Sequence, residues 1–372
     1  MNHILQIFTG HFEHPGPKLE DVQCALDNAL QLLHTEDVIF GWSTGSPVYE
    51  PMLKMLKERG MKVWLWLPMF SELPQQYKHH LSWTTDGEIQ KGTQVIEGED
   101  FQFVCPSSPE NIQNPVQIYN KYFSHLPFDG IFLDKIRHNS FSAGLESGLG
   151  CYCPVCKKRY TSEGIDIDAF IRKVNENVRI LLPADMQLGR YIFADPLVDS
   201  VYKCKAGWIT NAIRSASSSF SQMGLEVSLD VFASLLSYLV GQDINTLASG
   251  HSFIKPMVYR ITKAPAGIPF ELQSLQNAFM ARGCDPLPVL CDLWDVDDLL
   301  GDACTMKQAE VIMQSDCPIY PGFEINDVAG ICDNNPEYVK QNKALYEQAG
   351  LEGIVLSWNL LGAPEACIRA LI

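Results

Sequence analysis

The chain has 372 residues, of which 46% are hydrophobic and 19% charged, and it carries a formal net charge of −16. That composition, without single-sign blocks or low-complexity tracts, describes a folded globular protein with ample core and excludes a disordered or collagen-like chain. The acidic balance also excludes a general nucleic-acid or anionic-membrane surface, because a phosphate backbone needs a basic footprint.

The opening MNHILQIFTG runs almost at once into a strand-like apolar stretch, with no basic leader and no small-residue cleavage site, so a cytoplasmic protein is expected. From there, short β-branched and aromatic runs recur, each closed by Gly, Pro, Ser or Asn and followed by a longer stretch of helical period. Eight strands are predicted: 4–10 (ILQIFTG), 37–43 (DVIFGWS), 62–70 (KVWLWLPMF), 129–137 (DGIFLDKIR), 225–233 (LEVSLDVFA), 254–262 (IKPMVYRIT), 318–326 (PIYPGFEIN) and 353–361 (GIVLSWNLL). Helices fit between most of them, as in YEPMLKMLKERG at 49–60, which ends in basic residues and a Gly stop. A ninth candidate strand at 187–195 (QLGRYIFAD) belongs either to an excursion between the fourth and fifth strands or to the count itself.

Eight βα units over this length predict an α/β fold, a single (β/α)8 TIM barrel spanning 1–372 with enlarged loops after strands 3 and 4. No G-x-G-x-x-G follows the first strand, which argues against a doubly wound dinucleotide fold. No apolar segment approaches the roughly 18 residues that span a bilayer. Self-association into a homo-oligomer is the default expectation for such a domain.

GCYCPVCKKRY at 150–160 sets Cys151, Cys153 and Cys156 in one loop. Three soft ligands call for a fourth, and Cys105 in FVCPSSPENIQ lies in the adjoining loop of a barrel. Four thiolates give a closed site, so the expected cofactor is a structural zinc held in an insertion at about 100–160. A set of four cysteines also fits an iron–sulfur cluster, although nothing else in the chain suggests redox chemistry.

FVCPSSPENIQ, FDGIFLDKIRHNS and CYCPVCKKRY together resemble the pattern of glycoside-hydrolase-type barrels, including the zinc-carrying β-galactosidases. In those enzymes one cysteine precedes the fourth strand and a C-x-C-x-x-C run follows it. The Asp-Gly-Ile-Phe-Leu-Asp segment is closer to a broad group of uncharacterised glycosidase-like barrels. The resemblance covers residues 100–160 and is otherwise carried by strand rhythm. It departs from the β-galactosidases at the fourth strand, where their Asn-Glu pair is replaced by Leu133-Asp134.

Catalytic groups in this fold sit at the C-terminal ends of strands, where Asp134, Asp230 and Glu324 fall. Glycoside hydrolysis needs two carboxyl groups, one to protonate the leaving oxygen and one to attack or to activate water. The β-galactosidase resemblance implies Asp134 as acid/base and Glu324 as nucleophile. The alternative makes Asp134 the nucleophile and Asp230 the acid. Candidate substrate contacts near strand ends are His11, Trp42, Arg137, Lys255, Tyr259, Trp358 and Asn359, with Lys255 able either to meet a substrate carboxylate or to pair with Glu324. Trp64 and Trp66 alternate with leucines on one face of the third strand and read as core.

The expected function is therefore cleavage of a glycosidic bond in a small glycoside or oligosaccharide, with a small-molecule carbohydrate as the partner. The alternatives are a lyase or isomerase using Lys255 or Lys135 as base on the same barrel, and a non-catalytic carbohydrate-binding barrel.

Overall fold

All eight expected strands form, each paired in parallel with its neighbours in one sheet. The computed structural model describes residues 1–14, 16–92 and 101–372; Asp100, at the edge of the expected cysteine insertion, lies outside them. In chain order the strands are β1 (Asn2–Phe8), β2 (Thr35–Gly41), β3 (Lys62–Pro68), β4 (Gly130–Asp134), β5 (Pro183–Gln187), β6 (Arg190–Phe193), β7 (Glu226–Phe232), β8 (Ile254–Met257), β9 (Gly322–Glu324) and β10 (Gly353–Ser357). The large sheet runs β8-β7-β4-β3-β2-β1-β10-β9. Its two edges meet through a parallel bridge between Ile254 and Ile319, so the sheet is a nearly closed barrel. Strands buried on both faces read as continuous apolar runs, which is why they are visible in the sequence.

The seam is thin for a local reason. Pro256, Pro318 and Pro321 lack the N–H a ladder needs, and β8 and β9 are reduced to Ile254–Met257 and Gly322–Glu324 where longer strands were expected. The run at 187–195 contributes β6, which pairs antiparallel with β5 in a hairpin outside the barrel. The excursion explanation for that segment is the one realised.

Helices return the chain between strands. The start of the longest is set by a side chain: Asp195 accepts from the Leu197 and Val198 amides at 2.9 and 3.4 Å, with Pro196 at the first helical position, to open the helix Pro196–Gln222. The enlarged loops follow β3 and β4, as expected. The second holds the helices Pro154–Ser162 and Ile167–Glu176 before the hairpin. Among the described residues no helix is long and apolar enough to cross a membrane.

Inside the barrel an aromatic plug fills the N-terminal half. Phe253 meets Trp64 at 5.1 Å and Phe132 at 5.9 Å between ring centres, and the Trp64 indole donates to Asp37 at 2.7 Å. Above this plug, at the C-terminal ends of the strands, the barrel opens into a cavity.

Candidate active site

The cavity measures about 190 Å³, and its lining includes the apolar and aromatic Phe8, Trp42, Trp66 and Trp358 and the polar Gln6, His11, Asp134, Lys135, Arg137, Asp230, Lys255 and Tyr259. Its two carboxylates come from adjacent strands. Leu133 of β4 pairs with Leu229 of β7, so Asp134 and Asp230, each the next residue along, stand side by side. Alternation along each strand turns both side chains to the barrel interior, with Phe132 and Ser228 below them.

Their surroundings differ. Asp134 accepts from the Trp66 indole Nε1 at 3.0 Å and from the Lys135 amide at 2.5 Å, donors that hold a carboxylate in one orientation. Asp230 gives one oxygen to the Lys255 ammonium at 2.9 Å, while its other oxygen, Oδ1, is buried with no partner among the described residues. Burial pushes the Asp230 carboxyl up to about 7; Lys255 opposes this and the Asp134 charge adds to it.

Lys255 lies over the Phe132 ring of the plug and donates to the Gln6 amide oxygen at 2.8 Å as well as to Asp230. It does not pair with Glu324. Although burial works against its charge, Asp230 and Tyr259 hold the ammonium protonated. Gly322 leaves the space for this arrangement, since a Cβ there would come within 3.0 Å of the lysine Cε and 2.7 Å of the Tyr259 ring.

Glu324 is not brought to the cavity. Its carboxylate accepts from the backbone amides of Arg260, Ile261 and Thr262 at 2.8–2.9 Å, from the Thr262 hydroxyl at 2.6 Å and from the Tyr338 hydroxyl at 2.6 Å. With 1% exposure and every lone-pair direction engaged, it clamps the chain that leaves β8 to the top of β9. Asn359 is likewise outside the lining: its side-chain oxygen accepts from the Phe8 and Leu361 amides and fixes the turn after β10.

Trp66 and Gln6 are among the lining residues that sequence reasoning did not assign to the site. Trp66, expected as core, lines the cavity and meets Trp42 edge to face at 4.7 Å, while Trp64, two residues earlier and one layer lower, is the core residue of the pair. Gly41 permits that contact, because a Cβ at this position would lie 2.2 Å from the Trp66 carbonyl oxygen. Gln6 is the other. A buried amide in the middle of ILQIF was the available signal, a polar residue on an inward position of a strand otherwise apolar.

No protein-family model matches the sequence, and no curated protein matches it either. Solved structures do. The glycoside hydrolase domain of PgaB (BpsB) from Bordetella bronchiseptica superposes with a TM-score of 0.57 at 14% identity, over 98% of this chain and 96% of that one. Alpha-L-fucosidase isoenzyme 2 from Paenibacillus thiaminolyticus gives a TM-score of 0.52 at 14% identity, over 100% of this chain and 48% of that one. The fold is the parallel (β/α)8 barrel that these two structures share. At these identities the likeness is one of fold, and the chemistry of this barrel has to be argued from its own cavity.

The loops after β3 and β4 also bring together a cysteine cluster. The sulfurs of Cys105, Cys151, Cys153 and Cys156 all fall within 4.8 Å of one another, with Cys105 3.4 Å from Cys156 and 3.6 Å from Cys153. All four residues are buried and none forms a disulfide. Tetrahedral coordination with metal–sulfur bonds of about 2.3 Å sets ligand sulfurs about 3.8 Å apart, so these four could hold a metal ion. Cys105 sits in the loop after β3 and the other three in the loop after β4. A ligated ion would tie the two enlarged loops together. The Gln90 amide helps the same junction by donating to the Ser147 and Gly150 carbonyls at 3.0 and 2.9 Å.

Proposed function

We propose that this chain is a glycoside hydrolase whose carboxyl pair is Asp134 and Asp230. The observation that carries the reading is their juxtaposition on adjacent strands over one cavity, one held by two donors and the other buried with a bare oxygen. A carboxyl lifted by burial suits the acid, and the neighbouring carboxylate fixed by two donors suits the nucleophile. Asp230, protonated on Oδ1, donates its proton to the departing glycosidic oxygen. Asp134 attacks the anomeric carbon as that bond breaks, forming a glycosyl ester. The ionised Asp230 then takes a proton from water, whose oxygen attacks the anomeric carbon and releases Asp134. Neighbouring parallel strands lie about 4.7–4.9 Å apart, and side chains rooted at that spacing suit the roughly 5–5.5 Å carboxyl separation of retaining enzymes.

The aromatic wall of Phe8, Trp42, Trp66 and Trp358 offers apolar faces for the C–H side of a sugar ring. The small volume, below the about 300 Å³ at which pockets for drug-sized ligands begin, fits a single sugar unit. A lysine base, as a lyase or isomerase would need, finds no support in Lys255, whose ammonium is tied to Gln6 and Asp230.

A panel of aryl glycosides tests the reading. The wild-type chain should release the aglycone from at least one, with retained anomeric configuration by NMR, and Asp134→Asn should lower kcat/KM by about 10²–10⁴-fold. An Asp134→Asn protein as active as wild type would sink the assignment.

We infer further that the ion held by the four cysteines is zinc in a purely structural role. Sulfurs within 4.8 Å of one another converge on one metal atom, whereas a multi-iron cluster spreads its cysteines over several irons.

A further inference from the structure

Arg137 is a part of the cavity wall that the proposed hydrolysis leaves unused. Its guanidinium is sandwiched between two aromatic faces, 4.7 Å from the Phe103 ring centre and 4.2 Å from that of Phe232, in a residue only 3% exposed. One hydrogen bond anchors it, from Nη1 to the His138 carbonyl at 3.0 Å. Among the described residues no carboxylate oxygen lies within 4.0 Å of it. The carboxylates that act on it from farther away are Glu271, Asp134 and Glu72. Each of these is engaged elsewhere: Glu271 accepts from the Ala266 amide at 2.9 Å, Glu72 from the Phe101 amide at 2.7 Å, and Asp134 from Trp66 and Lys135.

A buried guanidinium without a paired anion is costly, and its rigid fork of N–H donors is shaped for a planar carboxylate. Two further cavity groups point the same way. Gln6 and Trp42 are lining residues, and Gln6 Nε2 and Trp42 Nε1 are buried with no acceptor among the described residues. The Gln6 assignment is fixed by Lys255, which donates to the amide oxygen and leaves the NH2 group facing away. Outside the acid pair, then, these three unmet groups are all donors. They call for a ligand richer in acceptors than a neutral sugar.

We propose that the cavity takes a sugar unit bearing an anionic group, a hexuronate, whose carboxylate is bound by Arg137 while Gln6 and Trp42 donate to other oxygens of the same ring. The proposal rests on the carbohydrate reading above and deepens it. A sulfate ester would present similar oxyanion chemistry. The carboxylate is favoured because it is planar, matches the fork, and adds the least bulk to a cavity of about 190 Å³.

Binding measured by calorimetry on the full chain, with glucuronate, galacturonate, glucose, galactose and glucose 6-sulfate as probes, tests this without requiring turnover. At least one uronate should bind about tenfold or more tightly than its parent hexose. Arg137→Lys keeps the charge but loses the fork, and should erase most of that preference. Trp42→Phe keeps the ring and should weaken uronate and hexose by similar factors. A parent hexose binding as tightly as its uronate, or a sulfate binding more tightly than either uronate, overturns the assignment in the wild-type protein, whatever becomes of the variants. Uronate binding without cleavage of any aryl glycoside would leave this inference standing and sink the hydrolase reading alone.

Discussion

Asp230 and Glu324 are both at most 2% exposed and both end barrel strands, yet their oxygens meet opposite surroundings. Glu324 collects five donors, and Asp230 keeps one oxygen bare. Strand-end position was legible in the sequence and drew attention to both acids. The difference was not, because the donors around Glu324 come from residues 260–262 and from Tyr338, and no spacing rule brings those together. Substitution should separate the roles. Glu324→Gln sets an NH2 group against donors that expect lone pairs, with about 1–3 kcal/mol or more at stake for each donor left unmet. A marked fall in Tm is expected, with glycoside turnover persisting in whatever fraction folds, whereas Asp134→Asn sets its amide against two donors rather than five and should lose less Tm while losing turnover. The pH profile belongs to the same scale. In the proposed mechanism Asp230 works in its protonated form, and burial lifts it to about 7. Below that value the proton is present; above it the carboxylate dominates, so kcat/KM should decline on the alkaline side of about pH 7. A rate still climbing through pH 8 would remove Asp230 from the role of acid.

At the level of elements, the apolar runs announce every barrel strand because a doubly covered parallel sheet leaves little room for polar alternation. Their C-terminal ends are less visible. There the chain leaves the ladder to build the cavity, and Pro256, Pro318 and Pro321 shorten the seam for want of an N–H. The split between the two β3 tryptophans escapes the sequence for a related reason. Trp64 and Trp66 share one face, but only depth along the barrel decides that the first fills the plug and the second reaches Asp134. Gly41 couples β2 to that tryptophan. In Gly41→Ala the added methyl would sit 2.2 Å from the Trp66 carbonyl oxygen and 2.5 Å from its Cβ. The strands or the indole must shift, at about 1–3 kcal/mol for such overpacking, and a lowered Tm should come with a loss of turnover as the Trp66–Asp134 contact is disturbed. The cysteine junction was the most legible element of all, since C-x-C-x-x-C is a local signal and barrel topology supplied Cys105. Cys153→Ser, or treatment with a strong chelator, should release one zinc per chain by elemental analysis and lower Tm and activity together. Unchanged metal content in that variant would refute the four-cysteine ligand set.

Over the whole molecule the relevant quantity is the field. A chain carrying −16 repels anions at long range, yet its cavity holds a buried Arg137 with no anion paired to it among the described residues. Net charge, read from composition alone, argues against a general nucleic-acid or acidic-membrane surface. It could not reveal a single buried cation whose partners are two phenylalanine faces far apart in sequence, Phe103 in the loop after β3 and Phe232 at the end of β7. The two fields act over different distances and respond differently to salt. Repulsion between separated charges is screened once the Debye length shrinks from about 30 Å at 0.01 M to about 8 Å at 0.15 M salt, while a buried contact such as that of Arg137 is screened much less. For an anionic glycoside the long-range term opposes encounter, so raising salt over this range should increase kcat/KM by about twofold or more. A neutral aryl glycoside with the same aglycone should show no such rise, because nothing in its approach is charged. Steady-state rates for the paired substrates across that salt range are the measurement. A fall in kcat/KM for the anionic glycoside would mean that local attraction at the cavity mouth outweighs the −16 of the whole chain.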